Sequence, residues 1–139
     1  AAEPVQEVEV ESMIQDAIRQ AQAMHRTVIE QTYTGVCTVT ERRKVKKPNG
    51  SIGFEEAVVL ENQPCFLNHE SVPSASAAEP AAGINQGIVL LLAPEVEIRP
   101  GSKITVTQNG VTGDYARSGV PVVYVSHQEI TLELFKGYA

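Results

Sequence analysis

The sequence predicts a small, mainly β domain, a barrel or sandwich of six to seven strands, with an N-terminal amphipathic helix and a long loop. Three observations carry that expectation. After Gln31 the chain is rich in β-branched residues punctuated by Pro and Gly, the composition of short strands and tight turns. Two Asn-Gly pairs, Asn49-Gly50 and Asn109-Gly110, mark hairpins, because both residue types tolerate a positive φ. Before Gln31 the apolar residues follow a helical period instead. A length of 139 residues fits one domain with an appended element, divided here into an extension and helix, residues 1–31, and a β domain, residues 32–139.

The first ten residues, Ala1 to Val10, alternate acidic and small residues and are expected to fray. Ser12 followed by Gln15 has capping-box spacing, which predicts a helix from Met13 to about Glu30. Ile14, Ile18, Ala21, His25 and Val28 recur at steps of four and three, so they share one narrow face, a candidate partner-contact seam. A helix lying across the domain's own sheet is the plainer alternative.

The run "TERRKVKKPNGSIGFEE" holds five cations, Arg42, Arg43, Lys44, Lys46 and Lys47, just before Asn49-Gly50. A two-residue type I′ loop there would place Val45 opposite Phe54, Val39 opposite Leu60, Arg43 opposite Glu56 and Lys44 opposite Glu55. Such pairs stabilise a hairpin by about 0.2–1 kcal/mol each. Arg42, Lys46 and Lys47 stay unpaired in this register. The result is an arm with a basic tip and an apolar base, read first as a solvated arm or one that contacts a neighbour, with DNA contact as the alternative.

Further along, "NHESVPSASAAEPAAGINQG", Asn68 to Gly87, lacks apolar periodicity and reads as a long loop. "GIVLLLA" supplies a strand. Pro100-Gly101 makes a turn, and Asn109-Gly110 pairs "KITVTQ" with "VTGDYA" so that Ile104 faces Tyr115. The last strands come from "VPVVYVS" and "EITLELF", with Val123, Val125, Ile130, Leu132 and Leu134 expected on one side.

A net charge of −6 excludes a surface basic enough to coat DNA or an anionic membrane, so any nucleic-acid contact must be local. No apolar run reaches the length of a membrane span, no signal-peptide layout is visible, and a soluble product made in a cytoplasm is expected. Cys37 and Cys65 lack CxxC spacing and read as buried, reduced thiols.

Chemistry is not signalled. His25, His69 and His127 form no metal-ligand spacing, and GxxxxGK and GxGxxG are absent. Asp114, Ser118 and His127 can be drawn as a triad, but Ser118 lacks an elbow setting. No catalytic residue, metal site or cofactor is therefore expected.

"VLENQPCFL", "APEVEIRPGSKITVTQNG" and "YVSHQEITLELF" resemble a family of small proteins encoded in the head-to-tail joining region of tailed phages and prophages of Gram-positive bacteria. The resemblance runs from about Tyr33 to Ala139. It implies a head-closure or connector protein of the stopper type: a small β-barrel in a dodecameric ring, located in the virion neck. The expected partners are other copies of the chain, a portal adaptor protein, a tail or tail-terminator protein, and packaged double-stranded DNA in the channel, with no membrane and no enzymatic activity. On this reading the hairpin residues Arg42, Arg43, Lys44, Lys46, Lys47, Asn49 and Gly50 contact a neighbour or line the channel. The alternative is an OB-like module binding single-stranded nucleic acid, for which only Phe54 and Tyr33 are candidate stacking residues.

Overall fold

In the computed structural model, which describes residues 3–73 and 84–138, the chain runs α1 (Glu3–Glu30), β1 (Gly35–Lys46), β2 (Ile52–Pro73), β3 (Ile84–Leu92), β4 (Lys103–Gln108), β5 (Val111–Arg117), β6 (Val122–Val123) and β7 (Gln128–Leu134). Seven strands form one antiparallel sheet in the order β3-β2-β1-β4-β5-β7-β6, and a further β3–β7 pairing joins its two sides. Six strands thereby close into a ring, with β6 attached to β7. Closure matters because it leaves the body few unpaired backbone edges.

The core lies inside this ring and follows the period-two alternation of the strands. Cys37 and Val39 of β1, Cys65 and Leu67 of β2, Leu90 and Leu92 of β3, Ile104 and Val106 of β4, Tyr115 of β5, and Ile130 and Leu132 of β7 are all buried. Ile98, from the segment between β3 and β4, joins the same cluster. Asn109 and Gly110 both take positive φ, 53° and 78°, giving the expected two-residue turn, and Ile104 does pair with Tyr115.

The arm hairpin differs from expectation by one residue. Lys46 pairs with Ile52, Lys44 with Phe54, Arg43 with Glu55 and Arg42 with Glu56, whereas a two-residue loop would have set Val45 opposite Phe54, Arg43 opposite Glu56 and Lys44 opposite Glu55. Pro48 is the cause. In a two-residue loop the residue before Asn49 must donate its N–H across the strands, and proline has none. The donor is instead Lys47 N–H, to Ser51 O at 2.8 Å, while Gly50 N–H closes a turn onto Lys47 O at 2.9 Å. Gly50, at φ 87°, takes up the left-handed residue of this longer loop.

Val39 nevertheless faces Leu60 as expected, because β2 bulges. It uses Val58–Gln63 where β1 uses only Cys37–Thr40, and Asn62 sits at φ 52° within that stretch. Bulges of this kind bend and twist the strand that carries them.

Three other expectations are corrected. The helix starts at Glu3, not Met13, so Ser12 caps nothing. Pro4 is acceptable in a first turn, and the acidic residues that follow favour a helix N-terminus. The predicted loop Asn68–Gly87 is strand at both ends, Asn68 pairing with Val89 and so on to Pro73 with Ile84; its middle, residues 74–83, lies outside the described residues. Finally, Ile130 and Leu132 point inward, but Val123, Val125 and Leu134 are 62–64% exposed. There β6 is only two residues long, and Ser126 and Gln128 occupy the buried positions instead.

Candidate functional site

Beyond Thr40 the two longest strands leave the body together, and from residue 41 to residue 59 no side chain is buried. This two-stranded arm carries all five sequence-predicted cations. Its alternation sorts them: Arg42, Lys44 and Lys46 share one face with Ile52, Phe54 and Glu56, while Arg43 and Lys47 lie on the other. Arg42 and Phe54 are diagonal neighbours across the pair, and the guanidinium lies 3.8 Å from the ring centroid, a cation–π contact. Lys103 of β4 reaches Glu56 at 3.5 Å. On the far face the Lys47 chain folds across Gly53, where a Cβ would come within 2.5 Å of Lys47 Cε. At the tip Asn49 Oδ1 accepts from the Ser51 N–H at 3.1 Å and the Ser51 hydroxyl at 2.6 Å.

At the root of the same face lies an open cleft of about 320 Å³, lined by Glu41, Arg42, Phe54, Arg99, Ser102 and Tyr138 together with the Pro100-Gly101 turn. Gly101, at φ 86°, makes that turn possible and brings Arg99 up beside Arg42. The buried hydroxyls of Ser102 and Tyr138 have no hydrogen-bond partner among the described residues. Burial, with the charge of Glu56, raises the Tyr138 pKa above its ordinary value.

The second candidate surface is α1. Ile14, Ile18, Ala21, His25 and Val28 do share a face, and all five are exposed, Ile14 at 52% and Val28 at 60%. The helix therefore does not lie across the chain's own sheet. Among the described residues, a side-chain tie to the body is made near its C-terminal end. There Arg26 donates from Nη2 to Glu95 at 2.6 Å and from Nε to Glu30 at 2.5 Å. Those bonds raise the Arg26 pKa, and the bond to Arg26 holds Glu95 below the usual carboxylate range. Tyr33, just beyond the helix, is partly buried, and burial raises its pKa.

The drawn triad does not assemble into a relay. Asp114 accepts from Thr105 Oγ1 at 2.7 Å, while His127 bonds Ser126 at 2.9 Å, approaches Glu129 at 3.5 Å and stacks on Tyr124. Among the described residues, no group of three or more His, Cys, Asp or Glu could hold a metal ion. Among the described residues, no helix is long and apolar enough to cross a membrane. Cys37 and Cys65 are free and buried; hydrogen bonding to Cys37, and then burial, hold the Cys65 thiol above its ordinary pKa.

Sequence reasoning located the cations and the helical face but missed Arg99, Ser102, and the Arg42–Phe54 contact. The signal for the last was present: once Pro48 shifts the register, Phe54 moves opposite Lys44 and diagonal to Arg42.

No family model matches the chain, and no curated protein matches it. Among solved structures, the chain is similar to the phage-like element PBSX protein xkdH from Bacillus subtilis, at 13% identity and a TM-score of 0.43, covering 71% of this chain and 91% of that one.

Proposed function

We propose that the chain is a non-enzymatic structural component of a tailed-phage or prophage particle. It acts as a head-closure connector that forms a ring in the neck, joins the portal-adaptor complex to the tail and helps retain packaged DNA. The observation that supports this reading most is where the molecule places its chemistry. Its cation cluster and its acidic helical stretch stand on two projections from a closed β body, the arm and the helix, and both projections also carry exposed apolar side chains, Ile52 and Phe54 on the one and Ile14 and Ile18 on the other. The resemblance of "APEVEIRPGSKITVTQNG" and "YVSHQEITLELF" to connector sequences supports the same role. In a ring of identical subunits, each copy offers one surface to its left neighbour and a different one to its right, and two dissimilar projections suit that requirement.

The rival nucleic-acid module needs bare aromatic faces near the cations. Phe54, the aromatic residue of the arm, has one face covered by Arg42, which weighs against it. Density for the neck of purified particles tests the proposal: a ring of this chain between the portal adaptor and the tail is expected, and necks that lack the chain would refute it.

A further inference from the structure

The face of α1 that carries Ile14 and Ile18 continues toward the N-terminus into Glu7 and Glu11, at the same steps of four and three. All four side chains are exposed, Ile14 at 52% and Ile18 at 45%. From residue 7 to residue 18 the helix carries Glu7, Glu9, Glu11 and Asp16 and no cation. One face thus reads acidic, then apolar.

The arm is its complement. Arg42, Lys44 and Lys46 line one edge of a face whose other strand presents Ile52 and Phe54, 62% and 56% exposed. At its root, Arg42 and Arg99 outnumber Glu41 around a cleft holding the unpartnered buried Ser102 hydroxyl, two cations and a hydroxyl that a carboxylate could meet. The dimensions agree as well. Glu7 to Ile18 spans about 16 Å of helix, and Arg42 to Lys46 spans about 13 Å of strand.

Within one chain the two faces do not cover each other: Glu7, Glu11, Ile14 and Ile18 of the helix and Arg42, Lys44, Lys46, Ile52 and Phe54 of the arm are all exposed. Each copy therefore carries both an open donor face and an open acceptor face, the arrangement of a heterologous contact that repeats from subunit to subunit.

We infer that the acidic–apolar face of α1 docks on the basic–apolar face of the β1–β2 arm of a second copy, with Glu7 and Glu11 meeting the cations and Ile14 and Ile18 meeting Ile52 and Phe54. This rests on the homo-oligomeric part of the function proposed above, and it names the surfaces that hold the oligomer.

The test uses two full-length variants, Ile14→Cys and Ile52→Cys, distinguished by a mass tag, mixed in equal amounts and oxidised. The native cysteines are buried and do not interfere. Helix-to-arm cross-links are expected to exceed same-site cross-links several-fold and to drop several-fold in 1 M salt, where the screening length is about 3 Å. Glu11→Lys in the helix variant should lower the yield, and Arg42→Glu in the arm variant should restore it. Predominant Ile14→Cys self-cross-linking would identify a helix-to-helix seam and overturn the inference, as would an absence of cross-links between folded chains at high concentration. Neck density answers separately: a ring whose helices avoid the arms defeats this contact and keeps the connector, whereas helix-to-arm cross-links in a chain missing from the neck keep the contact and defeat the connector.

Discussion

The side chain of Gln108 does for Leu67 what a strand would do. Its Nε2 donates to the Leu67 carbonyl at 2.9 Å and its Oε1 accepts the Leu67 N–H at 2.8 Å. β1 ends its pairing with Gly35 opposite Cys65, so the next outward-facing backbone groups on that side of β2 would otherwise be orphaned. Gly35 leaves the room this requires, since a Cβ there would come within 2.7 Å of Gln108 Oε1. Gln108→Leu should destabilise the fold by about 2–4 kcal/mol, because two part-buried backbone groups lose their partners. Gly35→Ala should cost about 1–3 kcal/mol, and the double variant less than the sum, since both act on one contact. Urea midpoints of the three variants check this; strict additivity would rule out the coupling.

A second glutamine holds the segment between β3 and β4. Gln128, 2% exposed, donates from Nε2 to the carbonyls of Ala93 and Val96, and so places Ile98 over the core. Gln128→Leu should cost about 1–3 kcal/mol and accelerate amide exchange across residues 94–99 before that of β4. Exchange that rises uniformly instead would show that the bonds stabilise the whole fold without fixing this segment.

These two residues also show where sequence reading stops. The strands of the body were legible because alternation and Asn-Gly turns are local signals, and Ile104–Tyr115 followed from the turn alone. Gln108 and Gln128 were not legible, because their partners are 41 and 35 residues away and a polar side chain at a core position carries no local mark. The helix was found but begun ten residues late, since an acidic stretch can form a helix without an apolar stripe to announce it. For the candidate site, residue type sufficed to find the cations and alternation to sort their faces, whereas the β2 residue that each one meets depended on a proline.

That proline makes a direct prediction. With Pro48→Ala, the residue before Asn49 regains an N–H and the two-residue type I′ loop becomes available. The arm should then populate a second register, with Arg43 opposite Glu56, by shifting pairing between the loop and the bulges near Leu60. Cross-strand nuclear Overhauser effects between residues 43 and 56 would report it. An arm that keeps Arg43 opposite Glu55 would place the cause of the register in the bulges.

The fastening of α1 should depend on pH. Arg26 holds the Glu95 pKa below its ordinary value of 4.5, so the folded group binds its proton less readily than the unfolded one. The contribution of the pair is therefore fully present above pH 4.5 and is lost as the pH falls through the lowered folded value. Glu95 is solvent-exposed, so the effect on global stability is small, and the readout is local. Relative to intrinsic exchange at the same pH, protection of the amides near residues 27–33 should fall in acid, and Glu95→Gln should show that lower protection already at neutral pH. A variant that keeps the wild-type acid response would mean that Glu95 is not the titrating group.

The arm's cations bear on DNA retention if the chain forms the neck ring. Arg42, Lys46 and Lys47 lack ion-pair partners among the described residues, and so, against expectation, do Arg43 and Lys44; the first three are available to phosphates, though Arg42 is also the residue committed to Phe54. Phosphate contacts carry no base information and weaken with salt through counterion release, which suits DNA that must be held and later slide out. Replacing all three by Gln should leave the body folded, because none of them is in the core, and should flatten the salt dependence of DNA retention in assembled heads. Subunit contact and DNA contact can be separated by residue, because Lys47 lies on the face away from Phe54, whereas Arg42 and Lys46 share the face proposed to receive the helix. Lys47→Gln alone should therefore reduce the salt slope while leaving helix-to-arm cross-linking intact. Retention unchanged at every salt concentration, in the single and the triple variant alike, would remove DNA from the arm's partners and leave the neighbouring subunit.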